Sequence, residues 1–167
     1  MRVSGWVLLL SVAFCLLSSS GATSWGRVAE VVTEGMVREE AIHVGMPILS
    51  LVSVWEGESS LAAVQTTCDE GSSFGPFCVK EIAARQHKCE GDWRQGRGNA
   101  ACAARILARG YRVCRTWRGA FTYYQWPEYL REHGCKWTSE HGERVYHLML
   151  RRQVDARRTI QIARAEK

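Results

Sequence analysis

The sequence predicts a single, mainly α-helical domain braced by disulfides, with little or no sheet. Three observations predict it. Apolar residues recur at helical spacing, with Val44, Ile48, Leu51 and Trp55 along one face of the 37–58 stretch. The apolar–polar alternation of a half-buried strand is missing throughout. Cys68, Cys78, Cys89, Cys102, Cys114 and Cys135 form an even set, which in a small exported domain reads as a disulfide framework of open pairing. No C-x-x-C pair is present and the spacings fit no standard zinc site, so disulfides are expected and no metal.

Composition sets the limits. The chain has 167 residues, 46% hydrophobic and 23% charged, values that exclude wholesale disorder and suit one core rather than two. Seven tryptophans are many for this length; large aromatics anchor cores or line ligand clefts.

Residues 1–22 read as a signal peptide: Met1 and Arg2 begin it, Val7 to Leu17 is almost wholly apolar, and Ser20 and Ala22 are the small residues expected before cleavage. The apolar run is shorter than the roughly 20 residues needed to span a bilayer. Cys15 leaves with the leader. Export to the periplasm or the medium is therefore expected, with residues 23–40 a lead-in and 41–167 the folded domain.

Element by element, Thr23 to Gly35 reads as a short helix or a loose segment. The 37–58 stripe is helical, with Pro47 allowing only a kink or a fresh start. Gly57 weakens that helix and leaves Glu58-Ser59 at or just past its end. Cys68 to Gly75 reads as loop from Asp69, Gly71, Ser72 and Ser73. Phe77 to Gln86 suits a short helix, and His87 to Gly98 a loop. Asn99 is placed as the N-cap of an alanine-rich helix running to about Arg109 or Cys114. A further helix is expected over Arg118 to Tyr124, a turn at Trp126-Pro127, a break at Gly134, and a long amphipathic helix from Glu143 to about Ala163.

Charge is unevenly spread. Residues 23–70 carry 2 basic and 8 acidic side chains, whereas 80–118 carry 10 basic and 3 acidic. The final stretch, 144–167, is basic again. Such faces attract polyanions. Export and disulfides argue against nucleic acid, leaving anionic wall polymer or a membrane surface as electrostatic partners. Arg105, Arg109 and Arg112 recur at helical spacing, as a solvated face or a site for peptide carboxylates. The histidines, His43, His87, His133, His141 and His147, lack metal-ligand spacing and are expected in the surface or core. No cofactor is implied.

The stretch Val54 to Leu61 carries the most chemical information. Glu58 follows Leu51 by seven residues and Trp55 by three, so it continues the inward-facing stripe. Desolvation there favours the neutral carboxyl that a general acid uses. Glu56 lies about 200° away around the same helix, so the two carboxylates should not share a cleft. The plain alternative is a pair of solvated helix-end acids.

At this point the sequence resembles the soluble lytic transglycosylase and goose-type lysozyme group, in which a helix ends in Glu-Ser. Here that pair is Glu58-Ser59. Ser73-Phe74-Gly75-Pro76-Phe77-Cys78-Val79 resembles the family's Ser-x-Gly-Leu-Met-Gln-like segment, with Cys78 where glutamine is usual. The Asn99 to Leu107 segment resembles its Asn-led helix of small residues. Ala120-Phe121-Thr122-Tyr123-Tyr124-Gln125 resembles Ala-Leu-x-x-Tyr-Asn, with Gln125 for asparagine, and a last helix contains Tyr146. The segments run in order over roughly residues 41–150.

The resemblance implies a lysozyme-like fold, a monomer, and peptidoglycan glycan strands as substrate. It implies one essential glutamate, Glu58, acting as acid and then base between N-acetylmuramic acid and N-acetylglucosamine, leaving 1,6-anhydromuramyl ends. Ser59, Ser73, Tyr124 and Gln125 are the implied substrate contacts. A hydrolytic lysozyme with Asp69 or Glu70 as second carboxylate is one alternative. A non-catalytic wall-binding protein is another, and a disulfide-rich module of unrelated fold a third.

Overall fold

The computed structural model describes residues 30–165; the predicted leader with Cys15, and residues 23–29 of the lead-in, lie outside them. The order is α1 (Glu34–His43), α2 (Ile48–Ser59), β1 (Thr67–Cys68), β2 (Ser73–Phe74), β3 (Val79–Lys80), α3 (Glu81–Gln86), α4 (Gly96–Cys114), α5 (Trp117–Gln125), α6 (Pro127–His133) and α7 (Glu140–Ala165). The molecule is mainly helical, as predicted. Among the described residues, no helix is long and apolar enough to cross a membrane.

One apolar cluster joins the helices. Leu51 and Val54 of α2, Ala103, Ile106 and Leu107 of α4, Phe121 of α5, and Val145 and Met149 of α7 are all buried in it. The alanine-rich face of α4 lets α5 and α1 pack closely, while α7 crosses both α2 and α5. The 37–58 stripe proves to be two helices. Pro47 starts α2 afresh, consistent with a residue that offers no N–H and has φ already near helical values.

Several boundaries differ from expectation, each for a physical reason. The Cys68–Gly75 stretch is no simple loop: β1, β2 and β3 form an antiparallel sheet, pairing Cys68 with Ser73 and Phe74 with Val79. Two-residue strands are too short to show an alternation. Phe77 to Lys80 belongs to this hairpin system, so only Glu81–Gln86 is helical. Helix α6 begins with Pro127 at its first turn, a position that tolerates the missing N–H; it stands where a turn was expected. Helix α7 starts at Glu140, ahead of Glu143.

Asn99 does not cap α4. The helix begins at Gly96, and the carboxylate of Glu30, far away in sequence, accepts from the Arg97 N–H at 3.0 Å. Asn99 is instead fully buried within the first turns. Its Oδ1 accepts from Phe77 N at 2.9 Å, and its Nδ2 donates to the carbonyls of Phe74 and Trp93, each at 2.9 Å. Gly75 allows this approach. Its φ is +70°, and a Cβ there would lie 2.4 Å from Asn99 Cγ.

All six described cysteines are paired: Cys68–Cys78, Cys89–Cys102 and Cys114–Cys135. The bridges close the hairpin, tie the segment after α3 to α4, and tie the end of α4 to the segment after α6. Each links consecutive cysteines.

His87, just after α3, presents its ring edge-on to Tyr123 at 5.9 Å. Burial, then the nearby cations Arg109, Arg105 and Arg112, pushes its imidazole below the ordinary value of 6.5. A histidine so held contributes stability above the unfolded value, and that contribution is lost as pH falls. Thermal melts between about pH 7.5 and 5 are therefore expected to show a shallower acid-side loss for His87→Gln than for the native chain.

Candidate active site

Helix α2 stops where the backbone of Ser60 turns left-handed, at φ +54°. The indole N–H of Trp55 holds the following turn by donating to the Ala62 carbonyl at 2.8 Å. Glu58 thus sits in the last turn of the helix. Gly57 beside it has no side chain to keep α7 away: a Cβ there would fall 2.6 Å from Val145 Cγ2. The start of α7 is fixed independently on α5. Ser139 N donates to Thr122 Oγ1 at 3.2 Å, and Ser139 Oγ accepts from Gly142 N at 2.9 Å.

These anchors bring the first turn of α7 against the last turn of α2. His141 Nε2 lies 2.8 Å from Glu58 Oε1, with the two side chains only 13% and 14% exposed. Arg144, one turn on, reaches back with Nη2 to His141 Nδ1 at 2.7 Å and to the Gly57 carbonyl at 3.3 Å.

Glu58 opens into a cleft of about 420 Å³, lined also by Asp69, Lys80, Tyr124, Gln125 and His141. The Cys68–Cys78 disulfide forms part of its wall, with Cys78 Sγ 3.7 Å from the Glu58 carbonyl oxygen. Two further cavities adjoin it. One, of about 370 Å³, shares Gln65 and runs past Phe74 and Arg94. The other, of about 160 Å³, shares Lys80, Tyr124 and Gln125 and reaches the half-exposed Trp126. Both cavities thus have lining residues in common with the Glu58 cleft.

Tyr124 is buried, and its hydroxyl donates to the Phe77 carbonyl at 2.6 Å. Burial, and then the charge of Glu58, pushes the phenol well above its ordinary value, so it stays neutral across the working range of an enzyme. Its proton is committed to Phe77. The hydroxyl oxygen keeps lone pairs with which it can accept a further hydrogen bond. Gln125 Oε1 is 3.5 Å from Ser139 Oγ.

The other sequence-predicted residues separate clearly. Ser59 donates its hydroxyl to the Trp55 carbonyl at 3.2 Å and does not line the cleft. Ser73 is fully buried, its hydroxyl donating to Asp69 Oδ2 at 3.0 Å, and it does not line the cleft. Of the two loop acids, Asp69 lines the cleft and Glu70 does not. Glu56 points away, as helical geometry requires, and pairs with Arg152 of α7 at 2.7 Å. His141 was not singled out in the sequence. Its place depends on the docking of α7 onto α2, which a single histidine after Ser139 does not advertise.

Among the described residues, no group of three His, Cys, Asp or Glu side chains is arranged to hold a metal ion. What fold and site define is a mainly helical, disulfide-braced domain with a partly buried carboxylate lining a cleft. No family model, curated protein or solved structure matches the chain.

Proposed function

We propose that this protein is an exported peptidoglycan lytic transglycosylase of the lysozyme-like group, with Glu58 as its acid and base. The observation that carries this reading is convergence. Glu58, Tyr124 and Gln125, far apart in the chain and each marked by the motif resemblance, meet in one cleft. The adjoining cavities suit a polymer lying across that cleft, and the three disulfides suit an oxidising compartment outside the cytoplasm.

In the reaction, Glu58 gives its proton to the glycosidic oxygen between N-acetylmuramic acid and N-acetylglucosamine as that bond breaks. The acetamido group of the muramyl residue stabilises the developing cation, its N–H facing the acceptor oxygen of Tyr124. The Glu58 carboxylate then takes the proton of the muramyl C6 hydroxyl. That oxygen closes onto C1, giving a 1,6-anhydro end and restoring the acid. The acetamido group serves where the usual glycosidase has a second carboxylate. Basic surfaces, including the arginines of α7, favour contact with anionic wall polymer or a membrane surface.

One observation favours a second reading. Asp69 shares the cleft with Glu58, and as a base activating water it would make the protein a hydrolytic muramidase.

The first test is release of soluble fragments from purified sacculi by the mature protein. Release by the native chain is expected. Retained binding to sacculi without release would make the protein a wall-binding one. Tyr124→Phe is expected to lower turnover while the fold persists, at a stability cost of about 1–3 kcal/mol because the buried Phe77 carbonyl loses its donor. Unchanged activity would leave the Tyr124 hydroxyl a purely structural role.

A further inference from the structure

Resting on the reading of Glu58 as the reacting acid, we propose that Arg144 is a positioning residue. It fixes His141 as a neutral Nε2–H donor and so directs the proton shared by the Glu58–His141 pair onto Glu58.

The argument is one of donors and acceptors. A guanidinium carries only donors and keeps its charge at any working pH. Its Nη2 lies 2.7 Å from His141 Nδ1, so Nδ1 must accept. The ring hydrogen then sits on Nε2, which is 2.8 Å from Glu58 Oε1 and donates to it. An imidazolium would turn an N–H toward the N–H of Arg144 and set two cations side by side.

The consequence concerns chemistry. A glutamate facing an unguarded histidine relaxes to a carboxylate–imidazolium pair as pH falls, because a charge-assisted bond is stronger than a neutral one. In that state the carboxyl has no proton to give. With Nδ1 occupied by Arg144, an added proton goes to the carboxyl. Since Oε1 accepts from His141, Oε2 is the oxygen that carries the proton.

Arg144, an exposed residue, also donates to the Gly57 carbonyl at 3.3 Å, so the guanidinium bridges the histidine and the main chain next to Glu58. The other titratable groups lining the cleft come from separate elements: Asp69 after β1, Lys80 of β3, whose ammonium lies over the Trp126 ring, and Tyr124 of α5. Tyr124 remains neutral, and Asp69 and Lys80 carry opposite charges. Glu56, on the far side of α2, is paired with Arg152.

The test uses the mature chain with Arg144→Met, His141→Gln and the double variant. Glutamine keeps a donor for Glu58 but cannot titrate. The first readout is the protonation state of His141 from ring nitrogen shifts, between about pH 5 and 8. The native chain is expected to show the neutral Nε2–H form throughout, and Arg144→Met to show imidazolium growing as pH falls. The second readout is the pH profile of glycan cleavage. Arg144→Met is expected to lower kcat about tenfold or more on the acid side, with KM little changed. In the His141→Gln background the same substitution is expected to cost little.

Imidazolium in the native chain would overturn the proposal. So would a loss in Arg144→Met that is equal at all pH values and equal in both backgrounds, or a rise in KM with kcat intact. The nitrogen shifts need no turnover, so they judge the proton arrangement even if Glu58→Gln shows that Glu58 is not the reacting acid.

Discussion

Glu58→Gln is expected to abolish measurable release of glycan fragments while leaving the protein folded. The substitution is nearly isosteric, and the amide oxygen can still accept from His141 Nε2, which lies 2.8 Å from Oε1 in the native chain. The docking of α7 on α2 is therefore preserved. What disappears is the transferable proton, needed first as acid and then as base. Acid–base assistance contributes about 10²–10⁴-fold, and here both proton transfers depend on one group, so a loss at or beyond the upper end is expected. Equal melting temperatures, alongside kinetics, separate chemistry from folding. A variant retaining more than about a tenth of native activity would remove Glu58 from the reaction.

Asn99→Ala is expected to have the largest effect on stability. The side chain is fully buried and makes three hydrogen bonds, to Phe77 N and to the Phe74 and Trp93 carbonyls. Alanine leaves those main-chain groups without their partners. Each orphaned group costs about 1–3 kcal/mol, so the sum approaches the roughly 5–15 kcal/mol that stabilises a typical domain. Denaturant unfolding measures it directly. Asn99→Asp supplies a finer check: it can accept from Phe77 N, but an ionised carboxylate cannot donate to the two carbonyls. It should also be strongly destabilised, and a loss below about 1 kcal/mol in both variants would contradict the account. The effect reaches the cleft, because Phe77 also holds the Tyr124 hydroxyl through its carbonyl.

Local signals in the sequence are enough to place Glu58. The apolar stripe, Pro47 and Gly57 put it at the end of a buried helix, and helical spacing separates it from Glu56. What was not legible depends on distant groups. Asn99 has the chemistry of an N-cap, but its partners lie across the hairpin, and the start of α4 is satisfied by Glu30. The pairing of the cysteines waits on the fold. Ser73 carries a motif-like signal, yet the hairpin buries it beneath Asp69. His141 was hidden for the same reason: its role exists only once Gly57 lets α7 approach α2.

The most direct measurement is the chemical identity of the ends released from purified peptidoglycan, read by mass spectrometry for the native chain and for Glu58→Gln. The account predicts 1,6-anhydromuramyl ends, lighter by one water than hydrolysis products, from the native chain alone. Reducing muramyl ends would contradict it, making the protein a hydrolase and moving attention to Asp69.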